Sequence, residues 1–215
     1  AVESSVNKQE AQFSAGIPEI DKALSSMKSA MSETASSQKS LEAVAFVDNL
    51  TGLPNRSRFI EFIENNSKDE KHAIKFGVLA ISRCSELQTI NQIHGYHEGD
   101  KYISHVAGII SGLLHTYKNA KVFRLNSSDF ASLIPNITLS EAENFAKQLT
   151  AKFNEFQLGS ELDSVAFSGM VKFEENKPLG ELLALADTAI SVAQTLHKNA
   201  WYIQKDADIL ASNSA

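Results

Sequence analysis

A run of apolar residues in heptad spacing near the start of this chain constrains its fold more than any other feature. These residues alternate three and four positions apart from Ile17 to Ala45, as the a and d positions of a coiled coil do. A helix with so narrow an apolar stripe cannot bury it alone, so we expect the helix to pair with a second copy. One long helix packed on its own domain is the alternative. We expect the seam of a dimer to consist of Ile17, Ile20, Leu24, Met27, Met31 and Leu41.

Composition divides the chain near residue 48. Residues 1–47 contain no Trp or Tyr and are rich in Ser, Ala, Glu and Lys, whereas the aromatic residues concentrate in 48–205. Residues 206–215 are small and polar. We therefore predict a helical segment at 1–47, a folded domain at 48–205 and a flexible tail or linker at 206–215. Because the chain starts without Met in the middle of a pattern, we interpret it as a piece of a longer protein.

Charge and cysteine content exclude several classes of protein. The formal net charge is −6 and no run of Lys and Arg is present, which argues against nucleic-acid binding. Cys84 is the single cysteine, so an intrachain disulfide and a cysteine-based zinc site are both excluded. No uninterrupted apolar run reaches the length of a membrane span. We expect no cofactor and no direct membrane insertion.

Strand and helix patterns alternate after residue 48. Ser85 and Ser140 each stand three residues before a Gln or Glu, which is capping-box spacing, and Asn55 is placed to cap a helix. The order β-α-α-β-β-α-β-α-β predicts an α/β (α+β) fold with a mixed central sheet covered by helices. The predicted strands are 75–82, 121–125, 130–134, 164–173 and 201–204, and the predicted helices are 85–94, 100–118, 140–156 and 179–196.

Residues 48–56, with the sequence DNLTGLPNR, form the most specific motif in the chain. They resemble the D-x-L-T-G-L-x-N-R signature that opens the GGDEF domains of diguanylate cyclases. The resemblance covers residues 48 to about 205, and it implies the GGDEF fold, which is related to nucleotide cyclases and polymerase palm domains. Further matches follow in order at Ile90-Asn91, at 95–100 (GYHEGD), at 124–135 (RLNSSDFASLIP), at Ala186-Asp187 and at Lys198-Asn199.

The resemblance breaks at the positions that carry the family's chemistry. Active members condense two GTP molecules into cyclic di-GMP, using carboxylates to hold a divalent cation against the triphosphate. Arg83 stands at the first metal position and Ser128 at the second, and only the acid that follows, Asp129, remains. We therefore predict that the chain binds no metal and is not an enzyme. The G-G-D-E-F string is replaced by Asn126, Ser127, Ser128, Asp129 and Phe130.

The sequence also bears on two ligand sites of the family. Asn91 and Asp100 match positions that read guanine, and we interpret them as caps of helices and turns rather than as a residual GTP site. The R-x-x-D motif for product inhibition is replaced by Tyr117 and Ala120, so we expect no cyclic di-GMP to bind there.

The layout resembles that of HAMP–GGDEF–EAL proteins, such as the LapD-type receptors and the CsrD-type regulators of RNA turnover. Residues 1–47 resemble the second half of a HAMP module followed by a signalling helix, whose polar seam positions Thr34 and Gln38 allow a change of register. We expect an inactive, dimeric relay on the cytoplasmic side of a bacterial inner membrane, followed by an EAL domain in the same chain. A weak GTP sensor or residual cyclase, and a protein-docking platform, are the alternatives.

Overall fold

A computed structural model describes residues 20–37, 45–68, 74–158, 161–174 and 177–204. The chain divides into two compact units, 1–45 and 46–215. The first unit contains helix α1 at 20–37, as the heptad pattern predicts. Ile17 and Leu41 of the predicted seam lie outside the described residues, as does the predicted tail at 206–215. The four seam residues within α1 are 51 to 70% exposed; they are Ile20, Leu24, Met27 and Met31.

The second unit contains a five-stranded mixed sheet in the order β2-β3-β1-β4-β5. All neighbouring strands are antiparallel except β4 and β5, which are parallel. The mixed sheet and the central β2–β3 hairpin confirm the fold class that the alternating pattern predicts. The strands are β1 (Phe76–Cys84), β2 (Lys121–Arg124), β3 (Asp129–Pro135), β4 (Ala166–Glu174) and β5 (Trp201–Gln204).

Helices cover both faces of the sheet. Alternation along β1 sends Val78 and Ala80 into the core under α3, α4 and α5, and sends Leu79 and Ile81 into the core under α2 and α6. Position 83 continues the second series, so its side chain lies on the α2 and α6 face. The helices are α2 (Arg56–Lys68), α3 (Leu87–His94), α4 (Tyr96–Leu114), α5 (Leu139–Leu158) and α6 (Leu179–Leu196).

The capping box of α5 lies two residues earlier than the sequence spacing indicates. The N–H and Oγ1 of Thr138 donate to Oε2 of Glu141 at 2.7 and 2.9 Å, and the Glu141 N–H donates back to Thr138 Oγ1 at 3.2 Å. The prediction that Ser140 opens this box was therefore wrong. Thr138 offers the same chemistry with the same spacing, and it directly precedes the first helical residue.

The predicted cap at Ser85 was also wrong, whereas the one at Asn55 is confirmed. Ser85 Oγ donates to the carbonyl of Ser164 at 2.8 Å, and α3 begins at Leu87 without a side-chain cap. Residue 85 leaves β1 beside the segment that enters β4, so a contact between strands replaces the local cap. Asn55 Oδ1 accepts the N–H of Arg58 at 3.1 Å in the first turn of α2.

Asn199 of the Lys198-Asn199 match fastens the entry to β4. It adopts a φ of 53° and is 1% exposed. Its Oδ1 accepts the N–H groups of Val165 and Ala166 at 2.5 and 3.2 Å, and its Nδ2 donates to Asn154 and Gln157 in α5 at 2.8 and 2.7 Å. Asparagine tolerates this left-handed backbone and satisfies both partners, so the motif position has a structural role.

Helix α6 is long and apolar enough to cross a membrane by length and composition alone. In the fold it packs directly on β4 at Gly169, where an added Cβ would collide with the Ala186 carbonyl and lie 2.6 Å from the Ile190 nitrogen. The sheet therefore accounts for its apolar face. The buried residues of α6 are Leu182, Ala186, Ala189, Ile190 and Ala193.

Candidate functional site

Arg83 lies at the centre of an ion-pair cluster on the α2 and α6 face of the sheet. It is directly opposite Asp129 in the β1–β3 register. Its Nε and Nη2 donate to the two carboxylate oxygens of Asp129 at 2.9 and 2.8 Å, which is bidentate geometry. Nη2 also donates to Asp187 of α6 at 2.8 Å. One guanidinium thus joins two strands and a helix.

Burial and hydrogen bonding set the charge of this cluster. The Asp129 side chain is 8% exposed, and its burial works to raise its pKa. Hydrogen bonds from Arg83 and Asn126, with the positive charge of Arg83, outweigh burial and leave the pKa below its ordinary value. The hydrogen bond to Asp129 raises the pKa of Arg83. Both groups are therefore charged at neutral pH.

Asn126 builds the β2–β3 turn, at the position that corresponds to the first glycine of the G-G-D-E-F string. Its Oδ1 accepts the N–H groups of Ser128 and Asp129 at 2.9 and 2.8 Å, and its Nδ2 donates to Asp129 Oδ2 at 3.1 Å. None of residues 126–128 has a positive φ, so the backbone of the turn does not need glycine. Ser128 Oγ adds a hydrogen bond of 3.1 Å to Asp129 Oδ1.

The signature turn at 48–56 is fastened to the same hairpin. Asp48 Oδ1 accepts the N–H and Oγ1 of Thr51 at 2.9 and 2.7 Å, and it accepts Nη1 of Arg124 at 2.8 Å. Arg124 also donates to the carbonyls of Asn126 and Ser127, both at 3.1 Å. The two most specific motifs of the sequence therefore hold each other in place.

The residues of this cluster do not fit the divalent cation that the family implies. Such a cation needs several oxygen ligands, but both oxygens of Asp129 already receive the guanidinium of Arg83. Ser128 offers a neutral hydroxyl in place of a carboxylate. Among the residues that the structure describes, no group of three or more His, Cys, Asp or Glu side chains could hold a metal ion.

A cleft of about 660 Å³ lies beside the turn and is bounded by Asn91. The Asn91 Oδ1 is buried without a hydrogen-bond partner in the described part of the chain, and it faces Gly99, where a Cβ would collide with it. Asp100 lies exposed within α4. Neither side chain caps α3 or α4, so the helix-capping part of that interpretation is not supported. The neutral lining comprises Cys84, Ser85, Leu87, Gln88, Asn91, Gln92, Tyr96, Ser127 and Ser128.

The positions of the family's inhibitory motif lie beside the core. The Tyr117 ring meets Phe145 of α5 edge-on, with 5.5 Å between ring centroids. Ala120 donates its N–H to the Tyr117 carbonyl at 3.2 Å. Neither side chain supplies a charge that could recognise a phosphate or a guanine.

The structure brings together several residues whose partners the sequence did not indicate. Arg83 and Asp129 were singled out as an altered metal site, but their direct pairing was not predicted. Asp187 belongs to the Ala186-Asp187 match, for which the sequence indicated no role. The available signal was that an unexpected arginine needs an acidic partner, and Asp187 is such a residue. Asn126 was identified only as a lost glycine, although Asn is a common residue in turns stabilised by its own side chain.

Known proteins resemble this chain in sequence and in fold. The chain is 24% identical over 169 residues to the RNase E specificity factor CsrD of Escherichia coli (strain K12), covering 78% of this chain and 26% of CsrD. The structure of the coiled coil and GGDEF domain of DgcB from Caulobacter crescentus, in complex with c-di-GMP, superposes with a TM-score of 0.74 at 16% identity. That match covers 86% of this chain and 99% of the DgcB chain.

The S helix-GGDEF-EAL structure of LapD from Vibrio cholerae, bound to c-di-GMP, gives a TM-score of 0.64 at 18% identity. It covers 77% of this chain and 38% of the LapD chain. The chain thus spans about a quarter of CsrD and well under half of LapD. The sequence profile of the family described as "Diguanylate cyclase, GGDEF domain" matches residues 45–200. The chain belongs to the GGDEF family.

Proposed function

We propose that this chain is a catalytically inactive GGDEF module that relays a signal within a cyclic-di-GMP pathway. The observation that carries this proposal is the bidentate ion pair between Arg83 and Asp129, which puts a positive charge where the family's chemistry needs a metal ion. The neutral Ser128 at the second metal position supports the same conclusion. Without a cation to polarise the triphosphate, condensation of GTP loses its main source of transition-state stabilisation.

We infer that the relay works through a dimer of α1. The seam residues Leu24 and Met31 are 51% and 70% exposed, and an exposed apolar stripe of this kind is buried in coiled coils. The likeness to a coiled coil joined to a GGDEF domain in DgcB, and to an S helix joined to GGDEF and EAL in LapD, supports this arrangement. We further propose a HAMP or membrane input before the helix, an EAL output after residue 215, and a position on the cytoplasmic side of a bacterial inner membrane.

The first experiment tests for cyclase activity. The purified chain is incubated with GTP and Mg²⁺ or Mn²⁺, and cyclic di-GMP is measured by liquid chromatography with mass spectrometry. We expect no product above that of a protein-free sample, while an active diguanylate cyclase run in parallel gives product. Formation of cyclic di-GMP by the wild-type chain, with no product from Asp129→Asn, would contradict the proposal. The loss in the variant would show that the product comes from the site that we propose to be inactive.

A GTP sensor is the second candidate function, and one observation favours it. The 660 Å³ cleft beside the turn is bounded by Asn91, whose buried Oδ1 has no hydrogen-bond partner among the described residues and would accept one from a base if the side chain rotated into the cleft. Calorimetry with GTP, with and without Mg²⁺, separates the two candidates. Micromolar affinity that is lost in Asn91→Ala would establish a sensor, whereas heats equal to those of dilution would support the relay alone.

A further inference from the structure

We propose that the guanidinium of Arg83 is a built-in substitute for the divalent cation of the family. On this view it excludes cations from the site and joins β1, β3 and α6 without any ligand. The inference rests on the proposed function, since it concerns the same site. It goes further because it assigns Arg83 a structural function, whereas the proposed function concerns only the loss of metal binding and catalysis.

The contacts of Asp129 carry the first step. Its carboxylate receives two hydrogen bonds from Arg83, one from Asn126 and one from Ser128, at 2.8 to 3.1 Å. These four bonds use the oxygens that a cation would need, and the side chain is 8% exposed. A cation that approached Asp129 would have to displace a bidentate guanidinium and then remain beside its positive charge.

The span of the contacts carries the second step. Arg83 and Asp129 are 46 residues apart in the chain, and Arg83 and Asp187 are 104 residues apart. A single side chain therefore links the end of β1, the start of β3 and the middle of α6. A metal ion bound by the same two carboxylates would likewise link β3 and α6. The guanidinium provides this link permanently.

Because Asp129 lies directly opposite residue 83 and Asp187 contacts the Arg83 guanidinium, Arg83→Asp would leave three carboxylates in one cluster with no positive charge between them. Repulsion among them destabilises the apo protein, and a hard divalent cation relieves it. The substitution should therefore convert an ion-pair cluster into a cation site. Arg83→Met is the matched control, since it removes the guanidinium without adding a ligand.

The experiment measures Mn²⁺ binding by electron paramagnetic resonance and thermal unfolding by circular dichroism. We expect the wild-type chain to bind no Mn²⁺ at millimolar concentration and to have the same Tm in Mn²⁺ as in EDTA. Arg83→Asp should bind Mn²⁺, with a Tm about 5 to 10 °C higher when the metal concentration is about 100 times its Kd. Arg83→Met should have a lower Tm than the wild type and no response to Mn²⁺.

Three outcomes would overturn the inference. These are stoichiometric Mn²⁺ binding by the wild-type chain, a folded Arg83→Asp variant that is indifferent to Mn²⁺, and an Arg83→Met variant as stable as the wild type. If Arg83→Asp does not fold, the wild-type and Arg83→Met measurements still decide. Wild-type Mn²⁺ binding without cyclic di-GMP formation overturns this inference alone, whereas cyclic di-GMP formation overturns the proposed function.

Discussion

Single carboxylates fasten the motif loops of this domain. Asp48 accepts three hydrogen bonds, two from Thr51 and one from Arg124, and its side chain is 23% exposed. Burial works to raise the pKa of Asp48, but the hydrogen bonds from Thr51 and Arg124 outweigh it, so the pKa lies below the ordinary value. A lowered pKa in the folded state means that the ionised form stabilises the fold.

This lowered pKa predicts how stability depends on pH. The contribution of Asp48 is complete above the pKa of an unfolded aspartate, about 3.9, and it is lost as the pH falls through the lower folded pKa. The unfolding free energy should therefore decrease as the pH is lowered below about 5. Asp48→Asn should lower it by about 1 to 3 kcal/mol at neutral pH and make the acid decrease shallower.

Urea denaturation at a series of pH values, followed by circular dichroism, measures both effects. Glu64→Gln, which removes one exposed carboxylate from α2, is the matched control. An acid decrease of the same slope in Asp48→Asn and the wild type would show that Asp48 does not contribute in this way.

At the scale of elements, close contact between α6 and β4 decides how the sheet is covered. Gly169 has no side chain, and this lets the backbone of α6 approach the strand at Ala186 and Ile190. The small residues on the buried face of α6, including Ala189 and Ala193, are what such a close approach requires. The same helix carries Asp187, so this packing also sets the position of the partner of Arg83.

Gly169→Ala should therefore destabilise the domain. The new methyl group would meet the Ala186 carbonyl and the Ile190 nitrogen, and overpacking of this kind lowers the unfolding free energy by about 1 to 3 kcal/mol. Gly108→Ala in α4 is the matched control, because no heavy atom lies within 4 Å of its added Cβ. That control should stabilise the protein by up to about 1 kcal/mol. Chemical denaturation measures both, and equal stability of the two variants would refute the close-contact argument.

At the scale of the whole molecule, the exposed apolar stripe of α1 is the surface through which we propose that the chain dimerises. If the proposed dimer forms along this helix, Leu24→Glu combined with Met31→Glu should convert the chain to a monomer, because like charges would meet in an apolar seam. Ser26→Glu, which adds charge to the same helix away from the seam, should remain dimeric. Light scattering coupled to size-exclusion chromatography measures the mass. A wild-type monomer, or a dimer that survives the double substitution, would contradict the proposed seam.

From the sequence alone follow the order of strands and helices, the family, and the prediction of where the chemistry of that family is altered. These properties are local: hydrophobic periodicity distinguishes helix from strand within a few turns, and the signature turn at 48–56 keeps its glycine, proline and capping asparagine close together. The prediction that Arg83 replaces a metal ligand needed only the spacing to Asn91. The heptad pattern likewise indicated α1 before any contact was known.

Only the fold shows which partners these residues bind. The partners of Arg83 lie 46 and 104 residues away, Ser85 bonds to a residue 79 positions later, and Asn199 reaches back 34 residues to Val165. No periodicity encodes such pairs, because they depend on which strands become neighbours and on which face of the sheet each side chain points to. For the same reason the sequence could predict the loss of a metal ligand at position 83, but only the fold could show a guanidinium bound to two carboxylates in its place.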